Sequence, residues 1–274
     1  MVTEESCNTL VITNLFRQQH PEIVKQIEDT CLNHSIDLIT IDGANDLWCR
    51  DFMPVQVQPD RFVQFDFDPS YYRHPKYEHL KTDVRNVHLK LHGQIVKSDI
   101  ILDGGNVCYS KKKVIITDKI FKDNPSKNKS DLVEQLYTLF DAEIIIIPAV
   151  PYDITGHADG IVRFIDEETI FLNDFRHGCS ESYCNKLFKS LQDLNIVLLP
   201  NDFHLNKITD DATGDYLNMV VIRDIVFIPK YNTATDDFAY NIVKDVFPKH
   251  TIVPIECNAL AVKGGVLHCS TWSF

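Results

Sequence analysis

The chain has 274 residues, of which 44% are hydrophobic and 24% charged, a composition typical of one large globular domain or two small ones. Asp and Glu number 39 against 27 Lys and Arg, so the formal net charge is −12. This balance argues against nucleic acid and anionic membranes as partners and suits a cationic ligand, although solubility alone explains most acidic chains. The sequence leaves open whether the protein forms a homo-oligomer.

The N-terminal segment and the cysteines predict a cytoplasmic protein with free thiols. No positively charged stretch followed by an apolar run marks a signal peptide at the N-terminus. The longest apolar run, residues 144–150, is too short to span a bilayer and contains Pro148. None of the eight cysteines forms a CxxC pair, and no Cys/His cluster has zinc spacing, so we expect neither a metal nor a cofactor.

In chain order, amphipathic helices alternate with β-rich runs. Apolar residues spaced by three or four predict helices at residues 23–31, 80–91, 132–139, 187–194 and 242–246. Pro21 suits the first turn of the first helix, Asp131 with Glu134 resembles a capping box in the third, and Pro248 ends the last. The β-rich runs are residues 37–41, 95–102, 144–147, 196–199 and 251–255.

Each β-rich run is followed by a polar loop, and the loops repeat with the same period as the helices, about 55 residues. The loops are residues 45–51, 103–106, 156–159, 214–218 and 264–269. Five such units predict a single α/β domain over residues 1–274, closed like a propeller around a pseudo-five-fold axis. An open doubly wound sheet is the alternative. The long loop at residues 66–79 has the length of a lid.

The repeated loops would present one set of polar residues to a pocket on that axis. Its members are Trp48, Asp51, Asp103, Asn106, His157, Asp159, Asn218, His268 and Cys269. Carboxylates on two sides can pair with the N–H groups of a guanidinium and hold its central carbon beside a thiolate. Each residue alone has a structural explanation, such as a buried thiol or a surface ion pair. Their common phase in the repeat indicates a site.

These motifs resemble the bacterial agmatine deiminase and Porphyromonas-type peptidylarginine deiminase family in order and spacing. They read Trp48-Cys-Arg-Asp51, Leu102-Asp-Gly-Gly-Asn106, Gly156-His-Ala-Asp-Gly160, Asp215-Tyr-Leu-Asn218 and Gly264-Gly-Val-Leu-His-Cys269. The resemblance implies the pentein fold, an α/β propeller of five ββαβ units. It departs from agmatine deiminases in lacking their N-terminal tryptophan-rich segment and in having Asp103 where they usually have Glu.

The resemblance also implies a role for each residue that matches a family motif. Cys269 would be the nucleophile, and His157 the general acid and base. Asp51 and Asp159 would grip the guanidinium. The remaining expected substrate-binding residues are Trp48, Asp103 and Asn218.

The leading functional hypothesis is a cofactor-free guanidine C–N hydrolase. It would convert agmatine, free arginine or peptidyl arginine into the ureido product and ammonia through a Cys-linked thiouronium intermediate. An amidinotransferase, which passes the amidino group to an amine, is the alternative enzyme. A non-catalytic pentein binding protein and an unrelated Cys-His-Asp thiol hydrolase also stay open.

Overall fold

The computed structural model describes residues 1–201 and 211–274, and the strands in these ranges form five three-stranded sheets. The strands are β1 (Thr9–Thr13), β2 (Asp37–Ile41), β3 (Val55–Gln58), β4 (Arg61–Asp66), β5 (Gln94–Ile101), β6 (Cys108–Tyr109), β7 (Lys113–Thr117), β8 (Glu143–Ile147), β9 (Val162–Phe164), β10 (Thr169–Asn173), β11 (Asn195–Leu199), β12 (Val220–Ile222), β13 (Ile225–Lys230), β14 (Thr251–Glu256) and β15 (Thr271–Ser273).

All five sheets share one topology. Four of them have the orders β3-β4-β5, β6-β7-β8, β9-β10-β11 and β12-β13-β14. In each, the first strand runs antiparallel to the middle strand, and the third runs parallel to it after a crossover. The fifth sheet joins the two ends of the chain, because β15 pairs antiparallel with β1, placing Trp272 opposite Val11. Five separate sheets confirm the predicted ββαβ units, and the open doubly wound sheet is wrong.

Helices occupy four of the five crossovers. The α-helices are α1 (Asn14–Gln19), α2 (Pro21–Asn33), α3 (Cys49–Phe52), α4 (Lys119–Asp123), α5 (Lys129–Phe140), α6 (Glu181–Ser190), α7 (Thr235–Val246) and α8 (Asn258–Ala261). Short 3-10 helices span Glu4–Ser6, Ser70–Arg73, Glu78–Leu80, Val84–Asn86 and Gly104–Asn106. Pro21 is the first residue of α2, as predicted. The predicted capping box is wrong, since Asn128 caps α5 by accepting from the Ser130 N–H at 2.9 Å.

The helix predicted at residues 80–91 is also wrong, because this crossover contains only 3-10 turns. The Asp83 carboxylate accepts a hydrogen bond from the Arg85 N–H at 3.0 Å, a local bond that competes with helix formation. Val87, Leu89 and Leu91 then follow one another at every second position, as in extended chain, and all pack against one apolar cluster. From Val87 onward, the crossover between β4 and β5 therefore runs as extended chain along this apolar cluster.

The middle strand of each sheet forms the interior. Strand β1 is buried at all five positions, and Ile225, Val226 and Phe227 of β13 are fully buried. Such continuous apolar runs fit strands that are covered on both faces. The five predicted polar loops follow β2, β5, β8, β11 and β14, the third strands of the sheets. In the part of the chain that the structure describes, no helix combines the length and the apolar character needed to cross a bilayer.

Candidate active site

The loops that follow the third strands enclose a cavity of about 500 Å³. Of the nine residues that the sequence places at the pocket, six line it: Trp48, Asp51, His157, Asp159, Asn218 and Cys269. Tyr71, Tyr72 and Tyr77 of the crossover between β4 and β5 line it as well. The 66–79 loop predicted as a lid therefore contributes three aromatic side chains to the cavity wall.

Cys269 is held by Asn218 on both its backbone and its side chain. Asn218 Nδ2 donates to the Cys269 Sγ at 3.1 Å, and the Cys269 N–H donates to Asn218 Oδ1 at 3.1 Å. The same sulfur lies 3.7 Å from Asp159 Oδ2. Burial, followed by the charges of Asp159 and Asp51, raises the pKa of this thiol well above its usual range. A thiol in these surroundings is neutral unless a cation binds beside it.

His157 lies between two carboxylates and carries positive charge at neutral pH. Its Nε2 is 2.8 Å from Asp103 Oδ2, and its Nδ1 is 3.6 Å from Asp51 Oδ1. Burial lowers the pKa of His157, but the two carboxylates outweigh burial and raise it to about 9. Burial raises the pKa of Asp51 to about 7, so this carboxyl titrates near neutral pH.

Asp103, expected to bind the substrate, does not line the cavity. Asp103 is 1% exposed and lies behind His157, outside the cavity lining. Its Oδ2 accepts from Lys119 Nζ at 2.9 Å as well as facing the imidazole. Burial raises the pKa of Asp103, but the charges of Lys119 and His157 outweigh it, and the net shift is downward. The geometry thus makes Asp103 a support for His157, since a side chain this deep cannot reach the cavity.

Asn106 and His268, also expected at the pocket, lie outside its lining. Asn106 Oδ1 accepts from the Thr117 N–H at 3.0 Å and so holds the end of β7. His268 Nδ1 is 2.8 Å from Asp159 Oδ2, which places this ring behind Asp159. Burial raises the pKa of Asp159, but the hydrogen bond and charge of His268 outweigh burial and lower it. Asp159 therefore stays ionised beside the thiol.

Two glycines in the motifs are required by close approach of side chains. A Cβ on Gly105 would lie 2.6 Å from His157 Nδ1 and 2.7 Å from Asp51 Oδ1. A Cβ on Gly265 would lie 2.8 Å from the Trp48 ring. Both distances are shorter than real Cβ contacts, so a larger residue would displace the neighbouring group.

The structure adds residues that the sequence analysis did not select. Lys119 is buried as the first residue of α4, and its only sequence signal is Asp123 four residues later on the same helix. Asp215 lines the cavity, and burial raises its pKa to about 7. It lies in the predicted 214–218 loop at the same phase as Asp51, which was a usable signal. Within the described ranges, no group of three or more His, Cys, Asp or Glu residues is arranged to hold a metal ion.

Residues 4–274 match the family model for Porphyromonas-type peptidyl-arginine deiminase. An assigned agmatine deiminase of Shewanella sp. (strain MR-4) is 25% identical over 286 aligned positions, covering 86% of this chain and 75% of that protein.

Two solved structures share the pentein fold. A cysteine-to-serine variant of C. jejuni agmatine deiminase with substrate bound has a TM-score of 0.73 at 18% identity, covering 97% of this chain and 93% of that one. A cysteine-to-serine mutant of Pseudomonas aeruginosa DDAH complexed with citrulline has a TM-score of 0.60 at 9% identity, with 98% and 99% coverage. The match over residues 4–274 shows that the chain belongs to the Porphyromonas-type peptidyl-arginine deiminase family and is an enzyme acting on guanidino C–N bonds.

Proposed function

We propose that the enzyme hydrolyses the guanidine group of a small dication, with agmatine as the substrate that fits best. The observation that carries this proposal is the convergence of Cys269, His157, Asp51 and Asp159 on one cavity. A thiol, a protonated imidazole and carboxylates on two sides are the groups needed to bind a guanidinium and cleave one of its C–N bonds.

The reaction would begin when Asp51 and Asp159 pair with the guanidinium N–H groups. As the substrate binds, the Cys269 thiol gives up its proton to water, and the thiolate attacks the central carbon and forms a C–S bond. His157 then donates its proton to the departing nitrogen, ammonia leaves, and a thiouronium remains on the sulfur. Neutral His157 next takes a proton from water, which attacks the same carbon. The C–S bond breaks, the thiolate returns and the ureido product leaves.

Substrate binding itself would ionise the thiol. The pKa of the thiol is raised by burial and by the charges of Asp159 and Asp51. A guanidinium between these carboxylates adds a positive charge a few ångströms from the sulfur, which favours the thiolate. The same charge favours ionised Asp51, whose pKa burial raises to about 7. The nucleophile is therefore charged mainly when its target is in place.

The charges of the cavity favour agmatine over arginine. Six aspartates line it in the part of the chain that the structure describes: Asp46, Asp51, Asp153, Asp159, Asp211 and Asp215. Lys263 also lines it, but its ammonium donates to Gln19 Oε1 at 2.7 Å. The distal amine of agmatine would meet carboxylates, whereas the α-carboxylate of free arginine would be repelled by them. A peptidyl arginine brings no second cation.

The test is release of ammonia and ureido product from agmatine, arginine and a short arginyl peptide, each without an added amine. We expect kcat/KM for agmatine to exceed that for arginine by about 100-fold, because like charges in a partly buried site cost several kcal/mol. Cys269→Ala should be inactive. Cys179→Ala is the matched control, because Cys179 is also half-buried but lies outside the cavity lining.

Three outcomes would contradict the proposal. Turnover by Cys269→Ala would show that Cys269 is not the nucleophile. A preference for arginine would show that the preferred substrate is not a dication. Product formed only with an added amine, and without ammonia, would identify an amidinotransferase. The thiouronium is checked separately by acid quenching during turnover, which should leave on Cys269 the mass of agmatine less ammonia.

A further inference from the structure

A polar cluster lies behind Asp159, on the side of the residue opposite the cavity, and one of its acids, Glu4, comes from the 3-10 helix Glu4–Ser6. We propose that Glu4 is a positioning residue for the reaction, acting through His268 on Asp159. This inference rests on the proposed function, in which Asp159 grips the guanidinium.

The contacts form an unbroken series from Glu4 to the nucleophile. Glu4 Oε1 is 3.0 Å from His268 Nε2, and His268 Nδ1 is 2.8 Å from Asp159 Oδ2. The same Asp159 oxygen is 3.7 Å from the Cys269 sulfur. Both ring nitrogens of His268 therefore face carboxylate oxygens. Its orientation is then determined by Glu4 at one end and Asp159 at the other.

Glu4 is itself held in place by two buried arginines. Arg50 Nη2 lies 2.8 Å from Glu4 Oε1, and Arg163 pairs with the other carboxylate oxygen. Burial raises the pKa of Glu4, but the charges of Arg163 and Arg50 outweigh it and hold that pKa well below its usual range. The carboxylate is therefore ionised at neutral pH.

The two arginines also fix the backbone around the nucleophile. The Arg50 N–H donates to the Cys269 carbonyl at 3.2 Å, and Arg50 Nε donates to the His268 carbonyl at 3.4 Å. Arg163 Nη1 donates to the Met219 carbonyl at 2.9 Å, next to Asn218. Glu4 thus contacts His268, which holds Asp159, and the two arginines that hold the backbone next to the thiol and to Asn218.

A purely structural role for Glu4 makes a different prediction. Glu4, His268 and Asp159 also line a second cavity of about 250 Å³. If Glu4 only contributes to packing between the two cavities, its loss lowers the stability of the protein and leaves the folded enzyme fully active. If Glu4 positions Asp159, its loss lowers the activity of molecules that are folded.

The experiment compares Glu4→Gln, which removes the charge and keeps the shape, with Glu5→Gln. Glu5 is the neighbouring acid; it is exposed and faces His250 at 3.5 Å. With rates normalised to the folded fraction, we expect Glu4→Gln to lower kcat/KM for agmatine about 100-fold, since small misplacements of positioned groups cost this much. Glu5→Gln should match wild type. Equal rates for all three enzymes would overturn the proposal.

A double-mutant cycle tests whether Glu4 acts through His268. In His268→Asn, the shorter side chain can still donate to Asp159 but cannot reach Glu4. Adding Glu4→Gln to this variant should change kcat/KM less than about twofold, because the connection is already cut. Fully additive losses would show that Glu4 acts by another route and would overturn the proposal.

A second readout separates this inference from the proposed function. Alkylation of Cys269 by 2-chloroacetamidine, a cation, needs the carboxylate grip, whereas alkylation by neutral 2-chloroacetamide does not. Glu4→Gln should slow the first reaction about 100-fold and the second little. If the wild type turns over no guanidine, but Glu4→Gln still slows alkylation by 2-chloroacetamidine selectively, the proposed function fails and the role of Glu4 stands. Equal slowing of both reagents would overturn that role.

Discussion

The two sides of the cavity use the same design with opposite charge. On one side His157, a cation, is backed by Asp103 and then by Lys119. On the other side Asp159, an anion, is backed by His268 and then by the carboxylate of Glu4. Despite burial, the carboxylates beside His157 raise its pKa to about 9 and the hydrogen bond with His268 lowers the pKa of Asp159, so both groups keep their charge without contact with solvent.

The difference between the two sides teaches how the fold separates two tasks. The His157 side supplies a proton to the leaving nitrogen, so its support must keep a cation protonated. The Asp159 side accepts N–H groups, so its support must keep an anion ionised. Charged groups in a buried site persist only when paired, and the pentein axis brings loops from several units close enough to do this.

The largest expected effect comes from breaking the His157 side with Asp103→Asn. Loss of this charge lowers the pKa of His157 from about 9, so the imidazole loses the proton that it must donate. We expect kcat to fall about 100- to 1,000-fold, the usual contribution of a general acid. Steady-state kinetics at several pH values measure it.

Asp123→Asn is the matched control for that variant. Asp123 also pairs with Lys119, at 2.5 Å, but no contact joins it to His157. It should lower stability more than activity. If both variants reduce kcat equally, Asp103 acts through Lys119 and not directly on the imidazole.

The next effect is a contrast between adjacent glycines. Gly105→Ala would drive a methyl group between His157 and Asp51, and we expect kcat/KM to fall about 100-fold with the fold intact. Gly104→Ala would place its methyl 2.0 Å from the Arg50 carbonyl oxygen, which is backbone and cannot move aside. That variant should therefore lose thermal stability first. Thermal unfolding and kinetics on both proteins distinguish the two.

The pH profile of the unmodified enzyme tests Asp51 and His157 without any substitution. Asp51 must be ionised to bind a guanidinium, and burial raises its pKa to about 7. His157 must be protonated, and its pKa is about 9. We expect kcat/KM to fall below pH of about 7 and above pH of about 9, with a loss of about 10-fold at pH 6, and these limbs belong to the coupled pair.

Two variants assign the acid limb of this profile. Asp51→Asn should abolish the limb and move the alkaline limb downward, since a negative charge beside His157 is lost. Asp215→Asn is the control, because burial raises the pKa of Asp215 to about 7 as well. A limb that disappears only in Asp215→Asn would show that Asp51 does not control binding.

How much of the site the sequence predicts depends on whether a residue belongs to the repeat. The period of about 55 residues was sufficient to bring Asp51, His157, Asn218 and Cys269 to one cavity. It could not tell that Asp103 lies one layer deeper, because depth depends on packing and not on phase. Glu4 carries no signal, since it precedes β1, outside the repeated loops, and its partners are distant in sequence.

The fold was predicted where apolar spacing and chain breaks agreed, and missed where they conflicted. Pro21 and the apolar face of α2 indicate the same helix, and the helix forms. At residues 80–91 the apolar spacing fits a helix, yet the turn at Asp83 and the alternation from Val87 onward favour a non-helical chain. Tertiary packing against the β4 region decides between two patterns that the sequence supports equally.

The smallest expected effect comes from Gly265, the close-packed glycine in the loop that carries Cys269. A methyl group there would press on the Trp48 ring, which lines the cavity. Gly265→Ala should therefore raise KM for agmatine about 10-fold and leave kcat nearly unchanged, because the wall moves and the reacting groups do not. Steady-state kinetics beside Gly105→Ala make the comparison direct. A fall in kcat for Gly265→Ala would mean that the Trp48 wall also orients the thiol. Substrate binding at this wall and catalysis on the His157 side would then not be separable.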